Sequence, residues 1–145
     1  MKNILVSACL LGEACRYDGK SKPCERVIAL KDTYNLIPIC PEVMGGLPTP
    51  RTPSEICGER VLMKDGRDVT ENYNLGAATA LAIARENACT VAILKEKSPS
   101  CGSGLIHNGL FDGGLVEGDG ITTQLLKQNN ICVFGESEIT EDFAL

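Results

Sequence analysis

The chain has 145 residues and carries 14 Lys and Arg against 19 Asp and Glu, a net charge of −5, with 43% hydrophobic and 23% charged residues. These are globular values, so disorder, collagen and coiled coil are excluded, and a chain of this size buries roughly two-thirds of its unfolded surface without needing disulfide staples. The acidic balance and the lack of any Lys/Arg run argue against a nucleic-acid polymer as the main partner.

The first apolar run, Ile4-Leu5-Val6, ends in Ser7-Ala8-Cys9 and predicts a strand running into a loop punctuated by Gly12. Val6-Ser7-Ala8-Cys9 superficially resembles a lipoprotein cleavage box, but too few apolar residues precede it for an export segment. Arg16-Tyr17-Asp18-Gly19 carries a turn signal, and residues 25–34 place Val27, Ile28 and Leu30 among charges as a short helix. Leu36–Ile39 is a second strand, although Pro38 argues against a central position. Cys40-Pro41-Glu42 follows, and then a Pro- and Gly-rich stretch to Pro53 with no regular element.

Two short runs flanking Asp65-Gly66, residues 60–64 and 67–70, predict a small hairpin. Thr70 is expected to cap a helix reaching Asn87, with Leu75, Ala78, Leu81 and Ala82 on its apolar face. Thr90–Leu94 predicts a third strand and is followed by Ser98-Pro99-Ser100-Cys101-Gly102 and a Gly-rich excursion through His107. A helix over Ile121–Lys127 and a strand over Ile131–Phe134 close the chain. The alternation implies an α/β fold, Rossmann-like or flavodoxin-like, with a mostly parallel sheet and a small hairpin insertion, and 1–145 as a single domain. No segment approaches the roughly 20 apolar residues that span a membrane, so a cytoplasmic setting with reduced thiols is expected.

There is one His and there are eight Cys. Cys9, Cys40 and Cys101 fall just past the first three strands, where ligands of parallel sheets sit. No Cys-x-x-Cys occurs, so any metal site must be assembled by tertiary structure. Three thiolates leave one position open on an iron-sulfur cluster or on zinc, and the soft set without His tilts towards iron-sulfur. Three unrelated core or loop thiols are the competing reading, and for Cys15, Cys24, Cys57, Cys89 and Cys132 packing is the better one.

Glu42, two residues after Cys40, is a candidate general acid or base, and Ser98 and Ser100 flank Pro99 just before Cys101. Ser100 offers a polar contact to a substrate, and Arg51, held among prolines, offers a clamp for a carboxylate or carbonyl. A salt bridge, a turn or cap, and a solvated surface position are the plainer roles of these side chains. His107 is set aside as a satisfied loop histidine.

Ser7-Ala8-Cys9-Leu10-Leu11-Gly12, Arg16-Tyr17-Asp18-Gly19, Cys40-Pro41-Glu42-Val43-Met44-Gly45-Gly46-Leu47-Pro48-Thr49-Pro50-Arg51 and Lys97-Ser98-Pro99-Ser100-Cys101-Gly102 together resemble the bacterial family that contains thiouracil desulfidase. The resemblance runs over essentially the whole chain, with the motifs in order. It implies that Cys9, Cys40 and Cys101 hold a [4Fe-4S] cluster whose fourth iron has no protein ligand. It further implies that the thiocarbonyl sulfur of a thiolated nucleobase binds there, and that Glu42 and Ser98 position the substrate and move protons. The implied partner is a small thiolated substrate, and the implied reaction is hydrolytic: thiouracil becomes uracil with release of hydrogen sulfide and no net redox change. Two other functions remain open at this stage, a persulfide-carrying sulfurtransferase with one reactive thiol and a non-catalytic metal-binding module that senses redox state.

Overall fold

Apolar side chains alternating along short strands build a sheet that must be covered on both faces. In the computed structural model, which describes Met1–Leu145, the chain runs β1 (Asn3–Ser7), α1 (Glu25–Ile28), β2 (Asn35–Ile39), α2 (Pro41–Met44), β3 (Ser54–Cys57) and β4 (Arg60–Met63). It continues through α3 (Thr70–Glu86), β5 (Val91–Leu94), β6 (Leu105–His107), β7 (Leu115–Glu117), α4 (Ile121–Gln128) and β8 (Cys132–Gly135), with 3-10 turns at Ala8–Leu11, Ala29–Asp32 and Glu136–Glu138.

The four expected strands form one parallel sheet in the order β2-β1-β5-β8. Pro38 lies opposite Val6 on β2, an edge strand, where a missing amide donor is tolerated. Leu5, Ala92, Leu94 and Val133 face Ala80, Leu81 and Ala84 of α3 and Leu126 of α4. Their neighbours in sequence, Ile4, Val6, Val91 and Ile93, point the other way onto Leu10, Val27, Tyr34 and Ile139. Each such burial contributes roughly 1.5–3 kcal/mol. No helix is long and apolar enough to cross a membrane.

Five expectations are corrected. The hairpin is built from β3 and β4, with Ser54 opposite Met63 and Cys57 opposite Arg60. The run 67–70 contributes only a bridge between Leu62 and Asp68; the true partner, Ser54–Cys57, is masked in the sequence by the prolines before it. A second hairpin, β6 with β7, lies inside the Gly-rich excursion. In α3, Thr70 is the first helical residue rather than the cap, and Asp68 Oδ1 accepts from both its N–H and its hydroxyl. The buried face of α3 is Tyr73, Gly76, Ala77, Ala80, Leu81 and Ala84, while Leu75 is 56% exposed. The close approach of other backbone selects small residues for that face, which hides it from a reading based on large apolar side chains. The helix expected over 25–34 divides into α1 and a 3-10 turn.

Candidate active site

β1 is flanked by β2 on one side and β5 on the other, so the connections leaving its end and that of β5 diverge. A crevice opens at such a switch point. Here it is a cavity of about 350 Å³ whose walls include Cys9, Cys15, Cys40, Glu42, Ser98 and Cys101. The structure therefore brings together all three cysteines singled out from the sequence, although 91 residues lie between the first and the last.

Each cysteine is placed by a different local device. Cys9 lies in the 3-10 turn that ends β1, which closes on Gly12 at φ 101°, a left-handed conformation suited to glycine. Cys40 precedes α2, with Pro41 at the first helical position. Cys101 is held by the start of α4. The Ile121 amide donates to Pro99 O at 2.9 Å, the Thr122 amide to Ser100 O at 2.9 Å, and the Thr123 hydroxyl to Cys101 O at 2.9 Å. The amides that a helix N-terminus leaves without internal partners thus fasten the cysteine loop.

Glu42 is ion-paired with Arg51, Nε to Oε1 at 3.0 Å, with the two side chains 15% and 3% exposed. The rest of the guanidinium is also engaged: Nη2 donates to Cys15 O at 2.9 Å, and Nη1 donates to Pro48 O and Thr49 Oγ1. Arg51 therefore ties Glu42 to the loop that carries Cys15, with four of its five N–H donors committed and one Nη2 hydrogen left over. Ser98 Oγ accepts the Cys101 amide at 2.7 Å, which leaves the hydroxyl proton free to be donated. Ser100 is buried and its hydroxyl pairs with Thr122 Oγ1 at 2.9 Å, so any contact with a substrate must share that hydroxyl.

Burial pushes the Cys101 thiol up to about 12; a hydrogen bond from Ser7 opposes the rise, and Cys9, Glu42 and Cys40 add to it. Burial and then Cys40 lift Cys9 to about 11. Cys40 is lowered to about 7, first by hydrogen bonding with the Cys15 thiol and, against its own burial, by Arg51. The thiols thus resist ionising together unless a multivalent cation compensates. No three His, Cys, Asp or Glu donors stand close enough to share a single ion. A cubane cluster makes a different demand, since each of its irons takes its own thiolate and the ligands are spread more widely. An all-sulfur set around a roomy cavity fits that group.

Several residues at the cavity escaped the sequence reading. Ser7, at the end of β1, accepts the Lys95 amide at 2.9 Å and lies beside the Cys101 thiol. Cys15 packs against the core cluster of Ile4, Val6 and Leu10, as expected, and also lines the cavity beside Cys40. His107, expected to be satisfied, has a buried Nδ1 with no partner. Among the other cysteines Cys89 is buried as expected, whereas Cys132 is exposed at the start of β8.

Residues 4–138 match the model of the family described as 2-thiouracil desulfurase. The chain belongs to that family. It is 44% identical over 148 residues to the uncharacterized protein YbbK of Bacillus subtilis (strain 168), covering 95% of this chain and 98% of that one. Among solved structures, a [4Fe-4S]-dependent thiouracil desulfidase, TudS, superposes with a TM-score of 0.91 at 47% identity, over 96% of this chain and 93% of the other. This chain and TudS thus share the α/β fold as well as nearly half of their aligned residues.

Proposed function

We propose that this protein is a [4Fe-4S]-dependent desulfidase that removes sulfur from the thiocarbonyl of a thiolated nucleobase, converting thiouracil and water into uracil and hydrogen sulfide. The convergence of Cys9, Cys40, Cys101 and Glu42 on one cavity carries the reading, and the likeness to TudS supports the cluster and the substrate class. Cys9, Cys40 and Cys101 would hold the cluster, which would supply Lewis acidity to the C–S bond through an iron left without a protein ligand.

The protein side chains supply positioning and proton transfer. Glu42, its orientation fixed by Arg51, takes a proton from the water whose oxygen replaces sulfur on the carbon. The Ser98 hydroxyl donates its free proton towards the substrate while its oxygen stays on the Cys101 amide. Carbon keeps its oxidation state, because one C–S double bond gives way to one C–O double bond and both protons of water leave with sulfur. The substrate is a small molecule rather than a nucleic-acid polymer or a membrane, and reduced cytoplasmic thiols suit the ligand set.

The lowered Cys40 thiol beside Cys15 favours a second reading, a persulfide carrier. Anaerobic assay of sulfide release from 2-thiouracil separates the two. In the desulfidase, Glu42→Gln lowers kcat by about 10²-fold or more, as the loss of a general base does, and Ser98→Ala lowers it by a smaller factor. No sulfide from 2-thiouracil, together with Cys40 that takes sulfane sulfur from thiosulfate with release of sulfite and passes it to an added thiol, Glu42→Gln being unaffected, would establish the carrier instead.

A further inference from the structure

We propose that Tyr73 and His107 read the ring of the substrate, the phenol donating to an exocyclic oxo group and the imidazole Nδ1 accepting from the ring N–H beside it. The inference rests on the desulfidase reading and deepens it, because it selects a cyclic amide over an open-chain thioamide or an inorganic sulfur species. Both residues line the cavity that holds Cys9, Cys40 and Cys101.

Tyr73 projects from α3 and is 1% exposed. Its hydroxyl is near Glu42 and Ser54 yet makes a hydrogen bond of good geometry with neither. His107, at the end of β6, likewise has a buried and unpartnered Nδ1. Buried polar atoms without partners are rare because each forfeits the hydrogen bonds it made in water. Only one other side-chain nitrogen or oxygen shares that condition, Glu136 Oε2, and the Lys95 ammonium compensates it at 3.3 Å. The two that remain unanswered stand on one cavity.

Their chemistry is complementary. Burial holds the phenol well above its ordinary range, so it stays protonated and can donate. A pyrimidine lactam presents a carbonyl and an N–H side by side, one acceptor and one donor, on the edge of a planar ring. Sites built to hydrogen-bond a substrate group reject the analogue that lacks it, since their own polar atoms are then left unpaired.

The test is calorimetric binding to the cluster-reconstituted protein, with the product uracil compared with 3,4-dihydropyrimidin-2(1H)-one, which lacks the 4-oxo group but keeps the adjacent N–H, and with 3-methyluracil, which keeps the oxo group but lacks that N–H. Wild type should prefer uracil to each analogue by about tenfold or more. Tyr73→Phe should erase the preference over 3,4-dihydropyrimidin-2(1H)-one, and His107→Phe the preference over 3-methyluracil, each raising KM for 2-thiouracil more than it lowers kcat. A residue with only a structural role would weaken all three ligands alike. The two pairs are independent, so His107→Phe decides the matter if Tyr73→Phe fails to fold. No preference in wild type, or preferences unchanged in the variants, overturns the proposal. Discrimination through these residues in a protein that releases no sulfide would refute the desulfidase reading and leave the recognition intact.

Discussion

Arg51 and Glu42 show how one side chain acquires its role from its partners. A carboxylate two residues after a cysteine is ordinary in a sequence; what distinguishes Glu42 is a guanidinium that is 3% exposed and bonded to it at 3.0 Å. Removing one member of a buried pair leaves the other charge uncompensated, at about 3–5 kcal/mol in deeply buried cases. Arg51→Met is accordingly expected to lower the urea-unfolding free energy by about 2–4 kcal/mol and to impair sulfide release, because Glu42 and the Cys15 loop lose their tie. Unchanged stability would mean that the pair is solvent-screened. The cysteines differ as sharply. Contact with Cys15 lowers Cys40 whereas burial raises Cys9 and Cys101, so Cys40 is the most readily ionised of these three in cluster-free protein. Iodoacetamide should alkylate Cys40 first, as read by peptide mass spectrometry, and lowering the pH below about 6 should suppress that selectivity by protonating it. Equal labelling of all three would contradict the assigned order.

At the scale of elements, the site depends on helices that approach closely. Gly76 of α3 packs against the backbone of Pro41, and Gly45, just after α2, packs against the backbone of Asn72, so a methyl group at either place would meet main chain. Asn72 Nδ2 also donates to Gly45 O at 2.9 Å. These contacts set where α2 begins, and hence where Cys40 and Glu42 project. Gly76→Ala is expected to cost about 1–3 kcal/mol by overpacking despite its better helix propensity, and to lower cluster occupancy with it. An unfolding free energy equal to wild type would show that α2 can shift freely. The same closeness explains why the buried stripe of α3 was misplaced from the sequence: Gly76, Ala77, Ala80 and Ala84 carry little hydrophobic signal, whereas exposed Leu75 carries much. The parallel strands were legible because Ile4–Val6 and Val91–Leu94 are continuous apolar runs, and β6 and β7 were not because Gly109, Gly113 and Gly114 dominate their neighbourhood.

Across the whole molecule, the site is a product of topology. Cys9, Cys40 and Cys101 were recognisable as strand-end residues, and the parallel sheet brings all three to one cavity. Tyr73, His107 and Ser7 were not recognisable, since a helix tyrosine, a loop histidine and a strand-end serine acquire meaning only when they face the same space. Because the thiols belong to three separate connections, a cluster held by them would cross-link the C-terminal edge of the sheet, and binding to the folded state alone adds to stability. Reconstitution should raise the thermal midpoint, and an iron chelator under anaerobic conditions should lower it again; a midpoint indifferent to iron would place the metal elsewhere.

The most direct measurement is anaerobic reconstitution with iron and sulfide, followed by counts of both on wild type and on Cys9→Ala, Cys40→Ala and Cys101→Ala. About four iron and four sulfide per chain in wild type, lost in each variant, is the expected result for a cluster with those three ligands. A wild type that takes up no cluster, or a cluster that survives the three substitutions, would contradict it.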